Sequence, residues 1–169
     1  MIILKENRVD KINYYLDIAE AVAERGTCLR KNFGCIIVKN DEIIATGYTG
    51  APRGRKNCID LGYCTKKKIF PDVRHGGYDA CRSVHAEQNA IISASRKDMI
   101  DGTMYLVGIR KDTKEYEEGA NSCQMCRKMI INAGLKEIIV RGKNKKEYLK
   151  INVNDWIEND DLLEGKIVY

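Results

Sequence analysis

His85-Ala86-Glu87-Gln88-Asn89-Ala90-Ile91 and Cys123-Gln124-Met125-Cys126 decide how this chain reads. Each opens a stretch whose apolar spacing predicts a helix, over residues 83–96 and 123–133. Two cysteines three apart at a helix start bring two sulfurs within reach of one metal ion. The helix N-terminus favours negative charge there and so stabilises thiolates. One imidazole from His85, 38 residues upstream, brings the donors to three. Three protein donors with a fourth position open is the arrangement of a catalytic zinc rather than a structural one. Two thiolates and a neutral imidazole cancel the charge of the ion, and a bound water can still lose a proton near neutral pH. Glu87, two residues from His85, need not bind the metal and is placed for general acid–base work.

Working outward, helix and strand patterns alternate. Ile12, Tyr15, Leu16, Ala19, Val22 and Ala23 predict a helix over residues 10–24, closed by Gly26. Residues 33–39 and 42–48 read as two short strands joined by an Asn40-Asp41 turn. A strand is expected at 103–109, a charged loop at 110–121, a strand at 137–141, and a last strand and helix in the tail with Trp156. This alternation predicts an α/β domain with helices covering a sheet. Residues 50–79 are irregular and rich in Gly, Arg, Lys and Cys.

The chain has 169 residues, 44% hydrophobic and 31% charged, which suits one ordinary globular domain. No apolar run approaches the length that spans a bilayer. The stretch Met1 to Asp10 is too charged for a secretory signal. A cytoplasmic location follows as the expectation, and there seven cysteines point to metal or chemistry rather than bridges. The net charge of +5 concentrates at residues 53–68 and 141–150, as a phosphate-bearing partner or a solvated lysine surface requires.

His-x-Glu followed by Cys-x-x-Cys is a signature of zinc-dependent base deaminases. The chain resembles the cytidine and deoxycytidylate deaminase family, closest to the bacterial and phage deoxycytidylate type. The matching residues are Gly34, Gly47-Tyr48-Thr49-Gly50, His85 through Ile91, Cys123 through Cys126 and Ile130-Ile131-Asn132-Ala133-Gly134, so the likeness runs over about residues 10–141. It implies a three-layer α/β/α sandwich with a mixed central sheet, in one domain over residues 1–169 with a Cys-rich insert at about 50–82. It implies His85, Cys123 and Cys126 as ligands of a catalytic Zn2+ and Glu87 as proton shuttle. The Ala86 backbone would hold the base, and the turn containing Thr49 would lie against the sugar. The family usually has Asn at Thr49 and Pro at Ser122; serine there is expected to serve as a helix N-cap. Members usually assemble as hexamers, and some respond to dCTP and dTTP. The loop at 110–121 is longer than usual in the family, and reads either as a cover for the pocket or as a surface hairpin.

Five cysteines remain. Cys35 reads as a buried strand residue. Cys28, Cys58, Cys64 and Cys81 flank the irregular segment, and four thiolates make a closed structural zinc site. The resemblance also implies a second zinc in this region in some members, held by cysteines and a histidine, so His75 is an alternative ligand. Arg53, Arg55 and Arg82 are candidates for a 5′-phosphate. Three functions compete: deamination of dCMP to dUMP, deamination of another free nucleotide, nucleoside or base, and tRNA adenosine deamination. The first is favoured, with a small-molecule nucleotide rather than nucleic acid or membrane as partner.

Overall fold

The computed structural model describes residues 8–72, 77–160 and 162–166. His75 and the first seven residues, part of the stretch read above against a signal, lie outside them. Helix α1 spans Lys11–Glu24. Its start is fixed by Asp10, whose carboxylate accepts the Asn13 N–H at 3.0 Å. Strands β1 (Lys31–Lys39) and β2 (Glu42–Tyr48) form a hairpin. Asn40 and Asp41 both take positive φ, 50° and 67°, which matches the twist a two-residue hairpin turn needs. The segment that follows holds only short helices, α2 (Cys58–Leu61) and α3 (Thr65–Ile69), and a 3-10 turn at Tyr78–Ala80. Then come α4 (Ala86–Ile92), α5 (Arg96–Met99), β3 (Thr103–Arg110), α6 (Gln124–Ala133), β4 (Glu137–Arg141), β5 (Tyr148–Asn152) and α7 (Val153–Glu158).

The five strands form one sheet in the order β2-β1-β3-β4-β5. Only β3 and β4 run parallel; the other neighbours are antiparallel, so the sheet is mixed. The two sides of its central strands enter different cores. Ile36, Val38, Tyr105, Val107 and Ile139 pack with Tyr15, Leu16 and Ala19 of α1. Cys35, Ile37, Met104, Leu106, Ile138 and Val140 pack with α4 and α6. This explains why β1 and β3 read as unbroken apolar runs: both faces are covered. Full burial of each large aliphatic side chain contributes about 1.5–3 kcal/mol. The result is a three-layer α/β/α sandwich.

Two glycines set the layer spacing. A Cβ on Gly34 would lie 2.2 Å from the Ala23 nitrogen, and one on Gly47 would lie 2.2 Å from the Ala86 carbonyl oxygen. Both obstacles are main chain. Gly47 therefore lets the start of α4 sit directly on β2.

The predicted helix over 83–96 is instead α4 and α5, broken at Ser93. The Ser93 hydroxyl donates to the Asn89 carbonyl at 2.7 Å, competing with the helix ladder. The loop at 110–121 folds back on β3, with the Glu117 N–H donating to the Gly108 carbonyl at 2.8 Å. The Tyr116 hydroxyl donates to Glu20 of α1 at 2.8 Å, on the sheet side opposite α4 and α6.

Candidate metal centre

Each residue of the centre sits at or beside a helix start. His85 is the N-cap of α4 and Cys123 the N-cap of α6. Ser122, expected to cap this helix, stands one residue too early: the extended backbone that opens the helix belongs to Cys123. The His85 N–H donates to the Gln88 side-chain oxygen at 3.0 Å, which fixes the entry into α4. Just before it, Val84 pairs with Gly50, so the end of the β2 turn is tied to the His85 strand. The Asn89 amide closes the same link by donating to the Tyr48 carbonyl at 2.8 Å.

The two helix starts converge. His85 Nδ1 lies 3.5 Å from Cys123 Sγ and 3.4 Å from Cys126 Sγ. Among the described residues this is the one group of three or more such side chains whose donor atoms all lie within 4.8 Å of one another. A tetrahedral zinc with ordinary Zn–N and Zn–S lengths sets N···S at about 3.5 Å. The donor set and its spacing therefore fit Zn2+. Hydrogen bonding from Cys126 and His85 holds the Cys123 thiol well below its ordinary range. Cys126, on the donating side of that bond and buried, is pushed up. Burial alone would lower His85, but its bond to Cys123 and the Glu87 charge carry it above its usual value. Tyr78 packs edge-on against the His85 ring, centroids 4.8 Å apart.

Glu87 is 5% exposed, in the first turn of α4. Burial raises its carboxyl above the usual range, opposed by the His85 charge and its own N–H. The Ser122 hydroxyl, wholly buried and without a partner of normal geometry among the described residues, also works against that rise. A rise in this direction moves the carboxyl toward the range of a general acid–base group. Ala86 is fully buried at the first position of α4, where the N–H has no intrahelical acceptor. Thr49 is 7% exposed, and its hydroxyl accepts the Phe33 N–H at 3.0 Å.

The other four cysteines also approach one another. Burial pushes the Cys58 and Cys81 thiols up, and the nearby Cys28 and Cys64 raise both further. The Arg30 N–H points at Cys28 Sγ, 3.5 Å away. These sulfurs are not drawn together as tightly as the His85 group. Arg53 and Arg55 are exposed. Arg82 donates from Nε to the Lys56 carbonyl at 2.5 Å.

Three residues carried no sequence signal that was read correctly. Lys66, counted in a basic run that read as a phosphate-binding patch or a solvated surface, is 6% exposed with Nζ 5.0 Å from the Tyr78 ring centre. Tyr78 itself has no motif. Arg127 carries no motif either, and is 8% exposed.

Comparison with known proteins agrees with this geometry. A family model described as "Cytidine and deoxycytidylate deaminase zinc-binding region" matches residues 9–141. A deoxycytidylate deaminase of Mycobacterium phage D29 is 32% identical over 137 residues, covering 79% of this chain and 95% of that protein. One of Schizosaccharomyces pombe is 30% identical over 127 residues, 75% of this chain, which spans only 35% of that longer protein. The fold is that of the crystal structure of dCMP deaminase from cyanophage S-TIM5 in complex with dCMP and dUMP, at TM-score 0.53 and 23% identity, covering 82% of this chain and 87% of that one. The chain thus belongs to the cytidine and deoxycytidylate deaminase zinc-binding family.

Proposed function

We propose that this protein hydrolyses dCMP to dUMP and ammonia, with Zn2+ held by His85, Cys123 and Cys126. The observation that carries the reading is the 3.4–3.5 Å convergence of one imidazole nitrogen and two sulfurs beside the buried Glu87. When bound, zinc supplies the Lewis acid that makes a water nucleophilic near neutral pH. Glu87 takes one proton of the attacking water and delivers it to ring N3 of the base. It then takes the remaining proton of the added hydroxyl and passes it to the amine, which leaves as ammonia as the C4–N bond breaks and the C4 carbonyl forms. The Ala86 N–H, free at the helix start, holds the base. Thr49 faces the sugar; a hydroxyl has two acceptor lone pairs, and the Phe33 N–H occupies one. The phage relatives named above support the phosphate-bearing substrate.

On this reading the chain is one domain over residues 1–169, with the Cys-rich insert at 50–82 built round a second zinc. Cys28, Cys58, Cys64 and Cys81 hold it, and their mutual electrostatic influence supports that set. The protein works in the cytoplasm as a homo-oligomer, a hexamer by resemblance. Among the described residues no helix is long and apolar enough to cross a membrane.

The test is ammonia release from dCMP and deoxycytidine side by side. Turnover of dCMP with little of deoxycytidine is expected. Turnover of neither, by zinc-loaded protein, would contradict the proposal and move the search to tRNA and modified nucleotides.

A further inference from the structure

Arg127 directly follows Cys126 in the first turns of α6. Its Nε donates to the Ser122 carbonyl at 3.0 Å in a buried hydrogen bond. Its guanidinium carbon stands 4.8 Å from the centre of the Trp156 ring, which α7 supplies. Thus one side chain, rooted beside the second cysteine of the centre, grips the residue before the first, and rests on the last helix. Trp156 lies outside residues 9–141, the part that the family model matches.

The placement runs against simple electrostatics. A cation near a helix N-terminus opposes the macrodipole, and burying it removes its hydration. The Ser122 carbonyl and the electron-rich indole face are among the groups that compensate. Serine has no ring to fix φ, so contacts must hold the turn. The Ser122 N–H is bound by the Asn121 side-chain oxygen at 2.7 Å, and its carbonyl by Arg127. With both main-chain groups of Ser122 tied, the backbone that aims Cys123 Sγ has little freedom left.

We propose that Arg127 and Trp156 are positioning residues for the metal centre, and that the β5–α7 segment thereby controls how firmly the metal is held. The proposal rests on His85, Cys123 and Cys126 being the zinc ligands. Groups that orient a ligand from outside the donor set typically change metal affinity by about tenfold to a hundredfold. The experiment is zinc release from the purified holoenzyme to a chromogenic chelator, reading only the phase that Cys123→Ser abolishes. Arg127→Ala should speed that phase at least tenfold, and shift the visible absorption of the cobalt-substituted protein. Trp156→Ala should act in the same direction, with Trp156→Phe restoring most of the loss because it keeps a ring face. The double variant Arg127→Ala/Trp156→Ala should be no worse than the stronger single one, since both break one contact chain. A release phase unchanged in Arg127→Ala, or additive effects of the two changes, would overturn the clamp alone. A wild type with no phase dependent on Cys123 would overturn the ligand assignment, and the clamp with it. Should Arg127→Ala not fold, Arg127→Lys and Trp156→Ala carry the same comparison, with Trp156→Phe as the rescue.

Discussion

Gly47→Ala adds one methyl group where there is no room for it. The new Cβ would lie 2.2 Å from the Ala86 carbonyl oxygen and 2.4 Å from the Ala90 nitrogen. Ordinary contact begins near 3.4 Å, and both obstacles are helix backbone, so α4 must retreat by about 1 Å. Overpacking of this kind costs about 1–3 kcal/mol, or a fall in Tm of roughly 2–12 °C for a chain this size. The retreat carries His85 and Ala86 with it. A misplacement of about 1 Å at a reacting centre lowers turnover about a hundredfold. Thermal melting, zinc content and steady-state turnover of the purified variant measure all three effects. Gly62→Ala is the control, because its positive φ of 73° meets no atom within 4 Å. It should lose about 1 kcal/mol of stability and keep its activity. A Gly47→Ala enzyme with wild-type melting and turnover would refute the claim that this contact sets the site.

Cys123→Ala should lower zinc by one equivalent per chain in elemental analysis and abolish turnover. Cys58→Ser should also remove one equivalent if the four-cysteine site exists, from a starting value near two. Wild-type protein with one zinc would leave those cysteines as free thiols. Arg141 has a fully buried side chain that binds Asp17 and Asn13 of α1, each at 2.5 Å. Arg141→Met should therefore lower unfolding free energy in urea by about 1.5–3 kcal/mol, the usual worth of hydrogen bonds to a charged group.

The metal centre was legible in the sequence because its residues sit where local rules place them. His85 and Cys123 are helix-start residues, and the His85–Glu87 and Cys123–Cys126 spacings each fall within one turn of one helix. The hairpin was legible for the same reason: Asn40 and Asp41 tolerate positive φ. The break between α4 and α5 was also written locally, in Ser93 and Ser95, but the apolar periodicity through residues 83–96 outweighed it. Ser95 Oγ binds Asp98 at 2.5 Å, as a helix-start serine does. Contacts between distant segments left no such trace. Arg127 and Trp156 are joined only by the packing of α7 on α6, and nothing in the spacing of the two residues marks it. Lys66 sits in a Lys66-Lys67-Lys68 run, and the fold buries it with Nζ 5.0 Å from the Tyr78 ring centre. The Thr49 hydroxyl illustrates the same limit. The resemblance set this turn against the sugar, while the fold also brings the Phe33 main chain to the hydroxyl.

The most direct test of the central claim is dCMP deamination by zinc-loaded wild type and Glu87→Ala, with zinc counted in both. The account predicts equal zinc and turnover lowered by about a hundredfold to ten-thousandfold in the variant, the usual worth of a general acid–base group. Substantial deamination by a zinc-replete Glu87→Ala enzyme would contradict it.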